Sequence, residues 1–500
     1  MTHALILPIL LPLFIGSLLL VLHRLEQPAK RVLSLIATLL LVPITIWLLM
    51  LAGDDQLRIY ALGNWQPPFG IILMLDRLSA LMLLVTAVLA TGAVVYASRG
   101  DDERGPNFHA LFQFQLVGIN GAFLTADLFN LFVFFEILLI SSYALLLHGN
   151  GAARVRSGLH YVILNLLGSA FFLIGVSMLY GLTGTLNMAD LAVRIGAADP
   201  ANGPLLAAAG FLLLIVFGLK AALLPLYFWL PSSYAAATAP VAALFAIMTK
   251  VGLYAILRVF TLMFGSAAGS LSYMINDWLW PLALLTVAAG VIGALAARSL
   301  QIMLAYLVIV SVGTLLAGIA LGSEQGISAA LFYLIHSTFV AGGLFLLADL
   351  IGRQRGNSET QLIVAPALRQ PLLLGALFFV GAISVAGLPP FSGFLGKVML
   401  LSAVGPGTQA IMLWSVLLVG GLGMVIALSR AGSLVFWLPS ESAPVGAPAD
   451  PIRLLAAVGL LLGSLVLVIW AQPLQAYTQS TAIQLLDLGP YLRIIQGEGA

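Results

Sequence analysis

Apolar residues along this chain come in runs of about 20, parted by short stretches that carry most of the charge and many of the prolines. The runs are apolar on every side, so they lack both the alternation of a half-buried strand and the stripe of an amphipathic surface helix. A hydrocarbon core about 30 Å thick takes about 20 helical residues to cross. Bounding the runs by charge, Pro or Gly predicts spans at about 4–23, 32–52, 72–97, 108–125, 127–147, 157–181, 204–230, 239–263, 277–297, 300–321, 327–351, 371–403, 408–431 and 453–471. The expected fold is an all-α polytopic membrane protein of about 14 transmembrane helices.

Two runs stand apart. As one straight helix, 371–403 would be about 50 Å long, and it contains Gly387, Pro389, Pro390 and Gly393. The run 204–230 has Pro225 five residues after Lys220. Proline inside a helix removes a hydrogen bond and clashes one turn back, and in lipid the freed carbonyls must be met by protein or by water in a cavity. Breaks are therefore predicted at Pro225 and at Pro389 and Pro390, in the seventh and twelfth spans. Interrupted helices at corresponding places in two halves of a chain point to an ion pathway. Their spacing suggests two five-helix repeats, 108–263 and 277–431, after an N-terminal three-helix segment (1–107) and before a last helix and short tail (453–500). The match between the halves is imperfect, because Lys220 precedes its break and Lys397 follows its own. The tail from 472 reads equally as a loose end or as an interfacial helix with Ile483, Leu485, Leu486 and Leu488 toward lipid.

Loop charge sets orientation. Arg24, Lys30, Arg31, Arg99, Arg104, Arg154, Arg156, Arg298, Arg353, Arg355, Arg369 and Arg430 fall in odd-numbered loops, and little beyond Arg58 and Arg194 in even ones. The excess of positive charge on the cytoplasmic side places both termini outside the cytoplasm. The first run has no positive segment before it and reads as a retained span, not a cleaved leader.

Composition narrows the function. Only 8% of residues are charged and 61% are hydrophobic, against about 25% charged in soluble domains. Without cysteine there is no thiolate-held iron-sulfur cluster, c-type haem or structural Cys zinc site. A net charge of +2 with no basic cluster argues against nucleic acid. Of six histidines only His336 sits at midplane depth, so a bis-His haem is not expected, and no cofactor or metal is assigned. Gly396 and Lys397 do not form a phosphate loop, because Phe391 and Val398 stand where glycine and Ser/Thr would be needed. No hydrolytic motif is present, and the expected class is a transporter component, not an enzyme.

The basic residues are divided by type. Lys30, Lys220, Lys250 and Lys397 are the four lysines; the last three fall inside predicted spans, whereas nearly all arginines are in loops. A desolvated lysine can give up its proton and arginine in practice cannot. Glu136, nine residues into its span, and Lys250, about 11 into its own, lie about 15 Å deep at 1.5 Å per residue. Lys220 and His336 match them, and Lys397 does so only if its helix is broken. Each midplane charge costs about 2.5–3.5 kcal/mol, so Glu136 and the three lysines together cost on the order of 10 kcal/mol if unpaired. Glu136, Lys220, Lys250, His336 and Lys397 are the candidate proton-translocating residues. Asp76, Arg77 and Asp127 read as interfacial, and Arg258 and the Asp349–Arg353 pair as structural.

LFNLFVFFEILLISSYALL, GLKAALLPLYFWLPSSYAAATAPVAALFAIMTKVGLYAILR and AGLPPFSGFLGKVML together resemble the antiporter-like membrane subunits. That superfamily is shared by Mrp-type multisubunit sodium/proton antiporters and the proton-pumping arm of complex I, and the wording around PLYFWLP is most similar to the Mrp-type branch. The resemblance implies fourteen helices, inverted five-helix repeats, and a relay in which Glu136 pairs with Lys220, Lys250 is central, His336 bridges and Lys397 is terminal. It also implies partner subunits, protons and sodium or another monovalent cation as cargo, and a bacterial inner membrane. A proton-pumping component of a complex I type oxidoreductase or related hydrogenase is the alternative. Ser232 stands where many members carry an acidic residue after WLP, which puts a carboxylate role there in doubt.

Overall fold

The structure, a computed structural model, describes residues 2–66, 68–440 and 443–495. Among the described residues twenty α-helices make up most of the chain. In the first half these are α1 (Leu7–Val21), α2 (Gln27–Leu51), α3 (Arg77–Ala97), α4 (Phe108–Leu124), α5 (Leu128–Leu147), α6 (Ala152–Thr183), α7 (Met188–Gly196), α8 (Gly203–Ala221), α9 (Trp229–Ala236), α10 (Ala239–Phe245) and α11 (Met248–Leu262). The second half holds α12 (Asn276–Ala296), α13 (Leu300–Ala320), α14 (Glu324–Arg353), α15 (Pro371–Ala386), α16 (Ser392–Ser402), α17 (Thr408–Gly432), α18 (Pro451–Ile469), α19 (Ala471–Leu486) and α20 (Gly489–Ile495). Among the described residues twelve helical segments are long and apolar enough to cross a bilayer, and α4, α15 and α16 are shorter apolar helices. Together they occupy all fourteen runs picked out from the hydropathy pattern.

Four local expectations need correction. The run 72–97 is not one helix: β2 (Ile72–Leu75) pairs antiparallel with β1 (Arg58–Ala61), and α3 starts only after Asp76. The Asp76 carboxylate accepts from Ser79 N at 2.8 Å while Asp76 N donates to Ser79 Oγ at 2.9 Å, a capping box that fixes the helix start. The second helix begins at Gln27, ahead of the predicted 32, because Pro28 suits a first turn. The eighth run is interrupted at Ala246 and Ile247, between α10 and α11, with no proline to announce it. The tail is neither loose nor laid wholly on lipid, since α19 packs on α14 and α3, α20 packs on α7, and Leu485, Leu488 and Tyr491 are buried while Ile483 stays exposed.

The two proline-bearing runs end their first helices alike. Ala222 and Gly387 both take left-handed backbone, φ 65 and φ 80. Leu223 N donates to Gly218 O at 2.8 Å and Leu388 N to Ile383 O at 3.1 Å, the wrapped-back bond of a Schellman end. The freed groups are met by protein, as the membrane interior demands: Trp229 Nε1 donates to Leu219 O at 3.0 Å and Leu224 N to Thr286 Oγ1 at 3.0 Å. Ala222 lacks the freedom of Gly387. A left-handed alanine costs about 1–2 kcal/mol, and glycine's extra chain entropy gives back about 0.5–1 kcal/mol of any relief. Ala222→Gly is therefore expected to raise the thermal midpoint of the detergent-solubilised protein slightly; a lowered midpoint would contradict this account.

α14 is the hub, touching α3, α10, α13, α15, α16, α18 and α19. Ion pairs tie the loops and helix ends at one side: Asp101 with Arg104, Arg353 and Arg453, and Asp102 with Arg31, while His109 Nε2 lies 3.0 Å from the Asp102 carboxylate. Burial disfavours the ionised Asp102, but hydrogen bonds from His109, Arg31 and Gln27 outweigh it and hold the carboxyl below the usual carboxylate range. At the other end Asp76, read from the sequence as interfacial, and Arg258, read as structural, form a fully buried pair at 2.6 Å, with Tyr491 OH donating to Asp76 at 2.9 Å. Arg77, expected at the interface, is buried against Asp55 and the Tyr477 ring, and Asp127 caps α5 through Asn130 N at 2.8 Å.

Candidate functional site

Each of the three lysines in the apolar runs lies beside a helix interruption. Lys220 is in the last turn of α8, Lys250 in the first turn of α11, and Lys397 on α16 just past the gap that follows α15. Where a helix stops, backbone carbonyls come free and water-sized gaps open, and these are what a buried ammonium needs. The lysines use this differently. Lys397 Nζ donates to Ala386 O at 2.7 Å and approaches Val385 O at 3.4 Å, so it caps the negative end of α15. Lys220 Nζ donates to Asn165 Oδ1 at 3.0 Å. Lys250 Nζ is fully buried and has no protein acceptor among the described residues.

Glu136 and Lys220 form no ion pair. The Glu136 carboxylate accepts from Ser169 Oγ, while Lys220 holds Asn165, and Asn165 Nδ2 in turn donates to Tyr161 O at 2.8 Å. Asn165 and Ser169 are one turn apart on α6, so that helix supplies each charge with a neutral partner. The carboxylate remains close enough to act on the lysine electrostatically. Glu136 is half-buried, whereas Lys220 is 8% exposed. Between Lys220 and the Lys250 helix lies a cavity of about 10 Å³ lined by Tyr161, Asn165, Trp229, Met248 and Val251, about the room one water needs. The backbones of α8 and α11 touch here, since a Cβ on Gly252 would collide with Ala221 N.

His336, on the uninterrupted α14, is 1% exposed and accepts or donates at Nδ1 to Ser392 Oγ, 2.8 Å away. The charges of Lys397 and Lys250 both reach its ring. A second cavity, about 20 Å³, is lined by His336, Ser311, Tyr333, Ser337 and Val385. Lys250 and Lys397 thus both act on His336 through charge, and Lys220, within electrostatic reach of Glu136, lies across one water-sized gap from the helix that carries Lys250. Pro225 lies between α8 and α9, and Pro389 and Pro390 between α15 and α16. Asn165, Ser169, Ser392 and Ser464 went unremarked in the sequence. Asn165, an amide within the long apolar run of α6, carried a usable signal; the serines did not, because serine is common in membrane helices.

Residues 125–427 match the family described as NADH:quinone oxidoreductase/Mrp antiporter, TM. A relative from Rhizobium meliloti, named as the D subunit of a probable K(+)/H(+) antiporter, is 42% identical over 518 residues, 97% of this chain and 96% of that one. The D subunit of the Na(+)/H(+) antiporter of Bacillus subtilis is 37% identical over 503 residues, covering 100% of both. Among solved structures, a chain of the Mrp complex from Dietzia sp. superimposes with TM-score 0.88 at 26% identity, covering 99% of this chain and 100% of that one. Matched over more than half its length by the family and over nearly all of it by these relatives, the chain belongs to the NADH:quinone oxidoreductase/Mrp antiporter family of membrane subunits.

Proposed function

We propose that this chain is the proton-translocating, D-type component of a multisubunit cation/proton antiporter in a bacterial plasma membrane. The observation that carries the reading is the row of buried titratable groups, Lys220, Lys250, His336 and Lys397, with Glu136 beside its first member. Names of relatives at 42% and 37% identity, potassium/proton and sodium/proton antiporter subunits, support the assignment. In this reading Lys220 is the proton carrier. When Glu136 approaches, it holds the ammonium form; when the carboxylate turns to Ser169, as here, Lys220 is left on the neutral Asn165 and can pass its proton through the small cavity toward Lys250. His336 then bridges Lys250 to Lys397, which exchanges with the far side. Segments 108–263 and 277–431 would be the two inverted repeats, with both termini outside the cytoplasm. The cation, sodium or another monovalent ion, needs several oxygen ligands and crosses elsewhere in the assembly.

The family description also covers oxidoreductase subunits, so a redox-driven proton pump is the second reading. Purifying the native complex and assaying it in everted vesicles separates the two. Cation-dependent collapse of a pH gradient by a complex without flavin or iron-sulfur absorbance is the expected result. A complex with those chromophores that moves protons only with an electron donor would overturn the antiporter assignment.

A further inference from the structure

Three buried hydroxyls beside His336 have no part in the relay as described. Ser384, Ser392 and Ser464, on α15, α16 and α18, are each 1% exposed or less. Ser464 Oγ lies 3.2 Å from Ser384 Oγ and 2.8 Å from Ser392 Oγ, which in turn lies 2.8 Å from His336 Nδ1. Helices α15 and α16 are the two halves of one broken run, and α18 belongs to neither repeat. A single hydroxyl from a third element therefore bridges the break. We propose that Ser464 is a positioning residue of the relay: it clasps the two half-helices and, through Ser392, fixes the His336 ring and lets Nδ1 serve as either donor or acceptor.

The chemistry follows from what a hydroxyl can do. Each serine donates one hydrogen bond and can accept others, so the chain can run in either sense. When Nδ1 is bare, Ser392 donates to it and accepts from Ser464, which accepts from Ser384. When Nδ1 carries its proton, it donates to Ser392, Ser392 to Ser464, and Ser464 to Ser384. Rotation of three O–H bonds converts one sense to the other without moving a heavy atom or transferring a proton between oxygens. With Nε2 turned to the Ser384 carbonyl, which can only accept, the ring gains and loses its proton at Nδ1 and needs such a reversible partner there. The ring cannot swing aside instead, because at its other nitrogen α16 and α15 press close: a Cβ on Gly393 would come 2.7 Å from His336 Nε2 and would overlap Ser384 O. The charged groups that reach the ring are Lys397 on α16 and Lys250 on α11, and the Tyr333 ring lies beside it, centroid to centroid 5.4 Å.

This inference rests on the relay reading above, and the experiment separates the two. Exchange by the complete complex is measured in everted vesicles as a function of pH for the wild type, Ser464→Ala, Ser464→Thr and Lys250→Ala, with the amount of protein checked by immunoblot. Ser464→Ala is expected to slow exchange roughly three- to tenfold, the kinetic worth of one buried hydrogen bond, and to displace the pH profile, while Ser464→Thr keeps the wild-type profile. Should the Ser464 variants not accumulate, Ser392→Ala and Ser392→Thr make the same comparison. A Ser464→Ala complex with wild-type rate and profile overturns the clasp, as does equal loss in the Ala and Thr variants with an unmoved profile, which would signify packing alone. Full exchange by Lys250→Ala overturns the relay itself; loss there with normal Ser464→Ala overturns only the clasp.

Discussion

Replacing Lys220 with arginine is expected to abolish proton/cation counterflow in everted vesicles, although the positive charge is kept. The side chain sits 8% exposed in the last turn of α8, on Asn165 Oδ1 and within electrostatic reach of Glu136. A purely electrostatic role, such as holding Glu136 in place, would survive the exchange of one cation for another. A carrier must let go of its proton, and guanidinium stays protonated at any workable pH. Lys220→Ala and Lys220→Arg should therefore lose exchange to a similar extent, at least about tenfold, which corresponds to only about 1.4 kcal/mol of barrier. Wild-type exchange in the arginine variant, with normal amounts of protein in the membrane, would refute proton carriage by this residue.

The second large effect falls on folding. Arg258 and Asp76 are 1% and 0% exposed and pair at 2.6 Å, with Tyr254 and Tyr491 closing around the guanidinium. Removing one member of a buried pair strands the other charge and costs about 3–5 kcal/mol, whereas replacing both by apolar groups of similar volume is often neutral. Arg258→Leu alone is expected to reduce the amount of protein in the membrane sharply. The double variant Arg258→Leu with Asp76→Leu should recover much of it, short of what the Asp76 capping box contributed, about 1 kcal/mol. Immunoblots and thermal aggregation of solubilised protein measure both; equal amounts of the single variant and wild type would show that the pair contributes nothing.

How much of this was legible follows from where the free energy lies. Helices that must satisfy their own backbone in hydrocarbon announce themselves by run length, so each of the fourteen runs holds at least one helix, although a strand, a break or an earlier start shifts some of the bounds. Midplane charges are costly enough that Glu136, Lys220, Lys250, His336 and Lys397 stood out individually. What did not show was anything decided by pairing. The interruption at Ala246 and Ile247 has no proline or glycine; tertiary packing outweighs local preference there. Asp76 and Arg258 are 182 residues apart, and α20 was unreadable as a docked element because its contacts are with Asp76 and α7, far away in the chain. Of the neutral partners that decide whether Glu136 meets Lys220, Asn165 stood out as an amide in an apolar run, whereas Ser169 looks like any serine in a membrane helix.

The contact at Gly252 has a mechanical consequence. Hydrogen at that position lets the backbone of α11 rest directly on Ala221 and the Lys220 carbonyl carbon, with no flexible side chain between them to absorb a displacement. Packed interiors compress little, so a shift of a fraction of an ångström in either helix is passed whole to the other. The helix ends that carry Lys220 and Lys250 are thus joined mechanically as well as by charge: a displacement of one is transmitted to the other through two touching backbones.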